Sequence, residues 1–150
     1  MHHAYAPLLE PGHIGSMRLR NRLVMAPMGE NFGGLDGICG ERTQAYYEAR
    51  AQGGAGLIIM GTAAISWPSG TSEPRQLGIS EDYFIPGLAE VTRRVHAHGS
   101  KIAIQINHSG KVAAHDRAHG RAMWVASLPP AAPVPDAMRT AGLFVQTLPA

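Results

Sequence analysis

A single cysteine, Cys39, stands in 150 residues, which excludes an internal disulfide and any multi-cysteine metal site built from this chain. Its plain reading is a small loop residue. Charge is also scarce: 16% of residues are Asp, Glu, Lys or Arg, against roughly 25% in ordinary soluble domains. The formal charge is +2, and Arg93-Arg94 is as long as any Lys/Arg run becomes. Without a basic stripe to track phosphates, nucleic acid is not an expected partner. No apolar stretch approaches the roughly 18 residues of a membrane span, so a membrane is not expected either. Met1 to Gly15 lacks the basic start and apolar run of a secretory signal, which makes the cytoplasm the expected compartment.

What remains is a chain rich in apolar residues, 45%, and in glycine, 18 residues, the balance of buried elements joined by tight turns. Its length suits one domain, residues 1–150. Arg22 to Pro27 is a short apolar run stopped by proline and reads as a buried strand. Glu41 to Gln52 has an acidic first turn, apolar or aromatic residues at Ala45, Tyr46 and Ala49, and the stop Gly53-Gly54, which together predict a helix. Gly56 to Gly61 is continuously apolar, as in a parallel strand covered on both faces. A turn-rich stretch, Thr62 to Phe84, leads to a second helix from about Pro86 to His98, with Leu88, Val91 and Val95 on one stripe. Lys101 to Asn107 is the third strand. The order βαβαβ calls for a parallel sheet, and the fold class is α/β. A small hairpin about Gly15-Ser16 is expected before the first strand. Five prolines between Pro129 and Pro149 leave an irregular tail from about residue 125.

Ligands of parallel α/β folds sit at the C-terminal ends of the strands. The residues there are Pro27-Met28-Gly29, Gly61-Thr62 and Gln105 to Lys111, and all three sets should face one side. Three motifs then carry a resemblance. Asn21-Arg22-Leu23-Val24-Met25-Ala26-Pro27-Met28 looks like the opening strand of the Old Yellow Enzyme family of NADH:flavin oxidoreductases. Tyr46-Tyr47 through Arg50-Ala51-Gln52-Gly53-Gly54-Ala55-Gly56-Leu57-Ile58-Ile59 resembles that family's first helix and second strand. Gln105-Ile106-Asn107-His108-Ser109-Gly110-Lys111 is similar to its third-strand signature. The likeness runs from about Leu8 to Ser127, with the motifs in family order.

The resemblance implies the N-terminal part of a (β/α)8 barrel, about three of its eight strands, with FMN as cofactor and NAD(P)H as reductant. It implies main-chain contact with the isoalloxazine ring at Pro27, Met28 and Gly29, and Thr62 beside the ring's polar edge. Gln105 matches the glutamine that grips the flavin pyrimidine, where a primary amide offers both a donor and an acceptor. Gly29 departs from the Thr or Cys of many relatives, Thr62 from a smaller residue, and Lys111 from Arg. His108 is read as ordering its loop. His96 and His98 lie two apart on a helix and read as exposed polar residues. His115 and His119 have i, i+4 spacing but lack a third ligand in a convincing place, so no metal site is expected.

The family's proton donor, its substrate-orienting pair and its phosphate loops follow the third strand, so the catalytic residues are not assigned. A complete barrel takes about 250 residues, with the phosphate site in the loops after strands seven and eight. The expected function is FMN-dependent hydride transfer through flavin N5 to a small-molecule substrate, in a chain that stops before the catalytic half. The opening His2-His3 to Gly12, together with Met28-Gly29 and Asp36-Gly37, resembles the 2,4-dienoyl-CoA reductase and trimethylamine dehydrogenase branch, in which an iron–sulfur cluster and FAD would belong to a longer parent. Opened barrel edges would favour self-association. Two alternatives stand beside this reading. One is a non-catalytic small α/β protein that folds alone or pairs with another part-barrel, and the other is a barrel piece serving a different phosphate-bearing cofactor.

Overall fold

The computed structural model describes residues 5–125 and the backbone of 145–147. A one-turn helix, α1 (Ala6–Leu9), precedes an antiparallel hairpin of β1 (Gly12–Ile14) and β2 (Met17–Leu19). Gly15 turns that hairpin with φ of +56°, a conformation that a side chain disfavours. Then follow β3 (Val24–Met25), α2 (Glu41–Gln52), β4 (Leu57–Ala64), β5 (Leu77–Gly78), α3 (Ile85–Ala97), β6 (Lys101–Asn107), α4 (Ala114–Ala118), β7 (Met123–Val125) and β8 (Val145–Thr147).

The centre of the fold is a parallel sheet with β4 in the middle. On one side β3 pairs with its start, Val24 opposite Leu57 and Met25 opposite Ile58. On the other side β6 runs the length of β4, from Leu57 opposite Lys101 to Ala64 opposite Asn107, with a register shift between Met60 and Ala63. The short β5 returns from the loop beyond β4 and pairs with the same strand at Ala63 and Ala64. Parallel neighbours need a crossover, and α2 and α3 supply the two that link β3, β4 and β6 in sequence.

Both helices cover one face of the sheet. From α2 come Tyr47 and Ala51, from α3 Val91 and Val95, and from β4 Ile58 and Met60, all essentially buried in one apolar cluster. Four of these side chains, Tyr47, Ile58, Val91 and Val95, account for about 6–12 kcal/mol of transfer free energy. The opposite face is open: Val24 is 48% exposed, and Ala103 and Gln105 are exposed. This asymmetry is that of a barrel stave, helices outside and lumen within.

Local chemistry explains the element ends. Gly53 donates its N–H to the Ala49 carbonyl and Gly54 turns away with φ of +106°, which closes α2. Pro86 sits in the first turn of α3 and Gly99, φ +73°, lies beyond its end, the usual asymmetry of proline and glycine. The helix-end carbonyls are gathered by one side chain. Arg20 donates to the carbonyls of His98, Ala51 and Ala55 and to Ser100 Oγ, joining the C-terminal ends of both helices to the strand starts.

Several elements differ from their sequence-based expectations. The first strand keeps only Val24–Met25, although an isolated parallel bridge, Gly29 to Gly61, carries the pairing further. The second strand runs past Gly61 to Ala64 because β5 gives its end a second neighbour. In α2 the buried positions are Thr43, Gln44, Tyr47 and Ala51, whereas Ala45 and Ala49 are exposed. Gln44 tolerates burial because its Nε2 donates to the Cys39 carbonyl at 2.9 Å. Near the expected irregular tail, β7 and β8 pair in parallel; the chain between them lies outside the described residues.

Candidate functional site

The strand ends converge on Gly61. A Cβ placed there would lie 2.8 Å from Pro27 Cβ, 3.0 Å from Gln105 Oε1 and 3.1 Å from the Met28 nitrogen. Carbon atoms normally stop near 3.5–4.0 Å, so the glycine is what lets all three approach. Gly61 is buried, while Gln105 and Met28 beside it are exposed. Among the described residues the Gln105 amide makes no side-chain hydrogen bond, which leaves its donor and acceptor free at the mouth of the open face. The ring of Tyr47 closes the site from behind, its hydroxyl 3.3 Å from the Gly61 nitrogen.

Gly29 and Thr62 sit one step outward, together on a narrow crevice that they share with Glu30 and Glu73. A Cβ at Gly29 would fall 2.8 Å from Glu73 Oε1. The Glu73 carboxylate thus stands where a Thr or Cys side chain at position 29 would point. Two loops are tied together here: the Arg75 N–H donates to Asn31 Oδ1 at 2.8 Å, and the Gly33 N–H to the Arg75 carbonyl at 3.0 Å. Asn31 adopts φ of +53°, a region that asparagine tolerates better than most residues.

The Tyr47 hydroxyl donates to Glu30 Oε2 at 3.1 Å, and burial pushes the Glu30 carboxyl above its ordinary value, with the charge of Glu73 adding to the effect. Burial also pushes the Cys39 thiol up to about 12. Cys39 lies in the loop before α2, is 2% exposed and belongs to the apolar cluster, so it is a small loop residue packed into the core.

Loop 108–116 braces the neighbouring turn. The His108 ring packs on Gly70, its Nδ1 accepts from the Gly110 N–H at 3.2 Å, and the Ser109 N–H donates to the Gly70 carbonyl at 2.8 Å. Asp116, fully buried, accepts from the Gly70 N–H at 2.7 Å and from Ser69 Oγ at 3.1 Å. His115 and His119 stack at 4.2 Å. Among the described residues no group of three or more His, Cys, Asp or Glu gathers as a metal site would require. His96 is exposed on α3, and His98 Nε2 lies 3.5 Å from Glu48 Oε1.

The structure therefore brings together Pro27, Met28 and Gln105 around Gly61, with Gly29 and Thr62 adjoining. Sequence reasoning missed Glu30, Tyr47 and Glu73, which back the same rim. Tyr47 was quoted within a motif, but nothing local to Glu30 or Glu73 marks them, because it is loop closure that juxtaposes them.

The profile of the NADH:flavin oxidoreductase / NADH oxidase family matches residues 7–138. The chain is 40% identical over 104 residues to an NADH oxidase of Thermoanaerobacter brockii, covering 69% of this chain and 16% of that protein. It superposes on morphinone reductase in complex with tetrahydroNAD with a TM-score of 0.72 at 35% identity, covering 83% of this chain and 33% of that one. With Old Yellow Enzyme from Pichia sp. AKU4542 the TM-score is 0.79 at 25% identity, over 95% of this chain and 38% of the other. The chain thus spans well under half the length of each of these relatives, and its three staves are the N-terminal part of a (β/α)8 barrel.

Proposed function

The chain belongs to the NADH:flavin oxidoreductase / NADH oxidase family, and from that premise we propose that its strand ends form the ring-binding rim of an FMN-dependent oxidoreductase acting on a small molecule, with NAD(P)H as reductant. The observation that carries this is the convergence of Pro27, Met28 and Gln105 on a glycine, Gly61, whose missing Cβ leaves room for a flat group. FMN, when bound, supplies the electron chemistry, taking hydride at N5 and releasing it to an acceptor.

This chain's residues contribute position and polarity. Gln105 offers an unpartnered amide whose oxygen and nitrogen complement the N3–H and C2=O edge of a pyrimidine. Pro27 stiffens the end of β3, and Met28 and Gly29 bring main chain to the ring. The Thr62 hydroxyl lies beside the polar edge. The phosphate anchor of a complete barrel belongs to loops after its seventh and eighth strands, whereas β3, β4 and β6 correspond to the first three. Assignment to the longer branch, with its iron–sulfur cluster and FAD, and a cytoplasmic setting where reduced nicotinamide is available, belong to the same proposal.

Titration of the purified chain with FMN and with lumiflavin, the ring without ribityl phosphate, tests this reading. Comparable weak binding of both ligands is expected, with Gln105→Ala weakening each by about 2- to 10-fold, the worth of one net hydrogen bond. Tight binding of FMN alone would place a phosphate site within this chain. Indifference of both ligands to Gln105→Ala would refute the assignment of Gln105.

A further inference from the structure

The crevice beside Gly29 holds several polar atoms without partners. Glu30 Oε1 and Glu73 Oε2 are buried, and neither has a hydrogen bond among the described residues. Gln76, which is 2% exposed and lines the same crevice, has an unpartnered Nε2. The crevice is narrow, with an empty volume of about 130 Å³. Two neighbouring carboxylates, each with a buried oxygen that lacks a hydrogen bond, are costly, whereas one proton between two carboxyl groups converts an acceptor into a donor and removes a charge.

We propose that Glu73 presents its carboxyl to the polar edge of the ring in the space that a side chain at position 29 would fill, and that it does so as half of a pair with Glu30 that holds one proton. The inference rests on the flavin reading of the strand ends. Its geometric basis is the 2.8 Å and 3.0 Å approach of the two Glu73 oxygens to a Cβ position at Gly29. The glycine and the glutamate are thus complementary: the chain has moved the polar group from strand end to loop.

Glu30 is the member that carries the proton. Tyr47 donates to its Oε2, which leaves Oε1, on the crevice shared with Glu73, as the site for the hydrogen, and burial already favours its neutral form. The groups that face the pair are Tyr47 from α2, whose own ionisation burial opposes, Arg75 from the loop after β4, and Cys39, a neutral thiol. No ion pair within 4.0 Å joins Arg75 to either carboxylate among the described residues, so no cation stands in for the proton. Tyr47 also accepts from the Gly61 N–H at 3.3 Å, which links the pair to the cradle itself. With its one proton the pair bears a single negative charge and without it two, and the second charge repels the carbonyl oxygens of the ring's polar edge. Binding of the ring should therefore tighten as the pH falls through the step at which the pair takes up its proton.

The test combines two readouts on the whole chain. Glutamate carboxyls carrying an NMR-active label are titrated without flavin, and backbone spectra record the response to lumiflavin at each pH. Glu30 should titrate later than the ordinary 4.5, and Glu73→Gln should bring that step earlier. Lumiflavin affinity should be about 2- to 10-fold greater below the step than above it. That pH dependence should vanish in Glu73→Gln and also in Gly29→Ala, which displaces Glu73 without removing it. Ordinary titration of Glu30, or a late step that Glu73→Gln leaves in place, would overturn the pair. Lumiflavin binding that perturbs Thr62 and Gln105 but ignores pH would overturn the ring-facing role and spare the flavin reading. No perturbation of the strand ends in any form would refute the flavin reading and the ring-facing role with it, while the carboxyl titration would still decide the pair.

Discussion

Replacing Gly61 by alanine is the sharpest perturbation of the strand-end cradle. The added methyl would sit 2.8 Å from Pro27 Cβ and 3.1 Å from the Met28 nitrogen, roughly 0.7–1.2 Å inside normal carbon contact in the first case. Pro27 cannot rotate away, since its ring fixes the backbone, and Met28 presents main chain. The strain must therefore be taken up by separating β3 from β4. The third neighbour, Gln105 Oε1 at 3.0 Å, ends a flexible side chain and can swing aside, which carries the amide away from its place. Overpacking of this kind costs about 1–3 kcal/mol. In a chain of 150 residues each kcal/mol moves the melting temperature by about 2–4 °C, so a fall of about 2–12 °C is expected by circular dichroism. Lumiflavin binding, measured well below the melt, should be lost. A Gly61→Ala protein that melts with the wild type and still binds lumiflavin would refute the convergence of Pro27, Met28 and Gln105 on this position.

Arg20→Ala removes charged hydrogen bonds to three helix-end and loop carbonyls and should lower stability by about 2 kcal/mol, near the worth of one such bond after solvent screening; a change below about 0.5 kcal/mol in urea unfolding would contradict its tying role. Because the folded pKa of Glu30 is raised, its contribution to stability is present below the unfolded value and is lost as pH rises through the folded one. Glu30→Gln should therefore remove the loss of stability that sets in as the pH rises above 4.5. Glu90 behaves in the opposite sense: Arg93 and Arg94 hold its carboxyl down at about 2, so its contribution is lost as pH falls from 4.5 toward that value, and 1 M salt should shrink the effect. Finally, apolar grooves flank both edges of the sheet, one lined by Leu88, Val91, Ile102 and Ile104, the other by Leu23, Val24, Met25 and Ala55. Light scattering of the isolated chain should show association that grows with concentration, and a monomer with a sharp cooperative melt would favour an independent small α/β domain.

Local pattern settled the elements whose causes are local. The helix Glu41–Gln52 and the strand Lys101–Asn107 lie where the acidic start, the glycine stop and the apolar run put them, because caps and periodicity act within a few residues. The parallel order followed from strand and helix alternation, and three motifs together, one ending in Pro27-Met28, one running from Tyr46 to Ile59 and one beginning at Gln105, pointed to the family. Sequence could not show that Leu77–Gly78 would return as a strand beside β4, since that pairing depends on where a long loop closes. Nor could it show why position 29 is glycine. Glu73 lies 44 residues further on, and only folding brings its carboxylate to the space that a side chain there would need. The sequence alone determined which residues meet the strand ends; the tertiary structure decided which distant loops back them, because burial and loop closure are set by the whole chain at once.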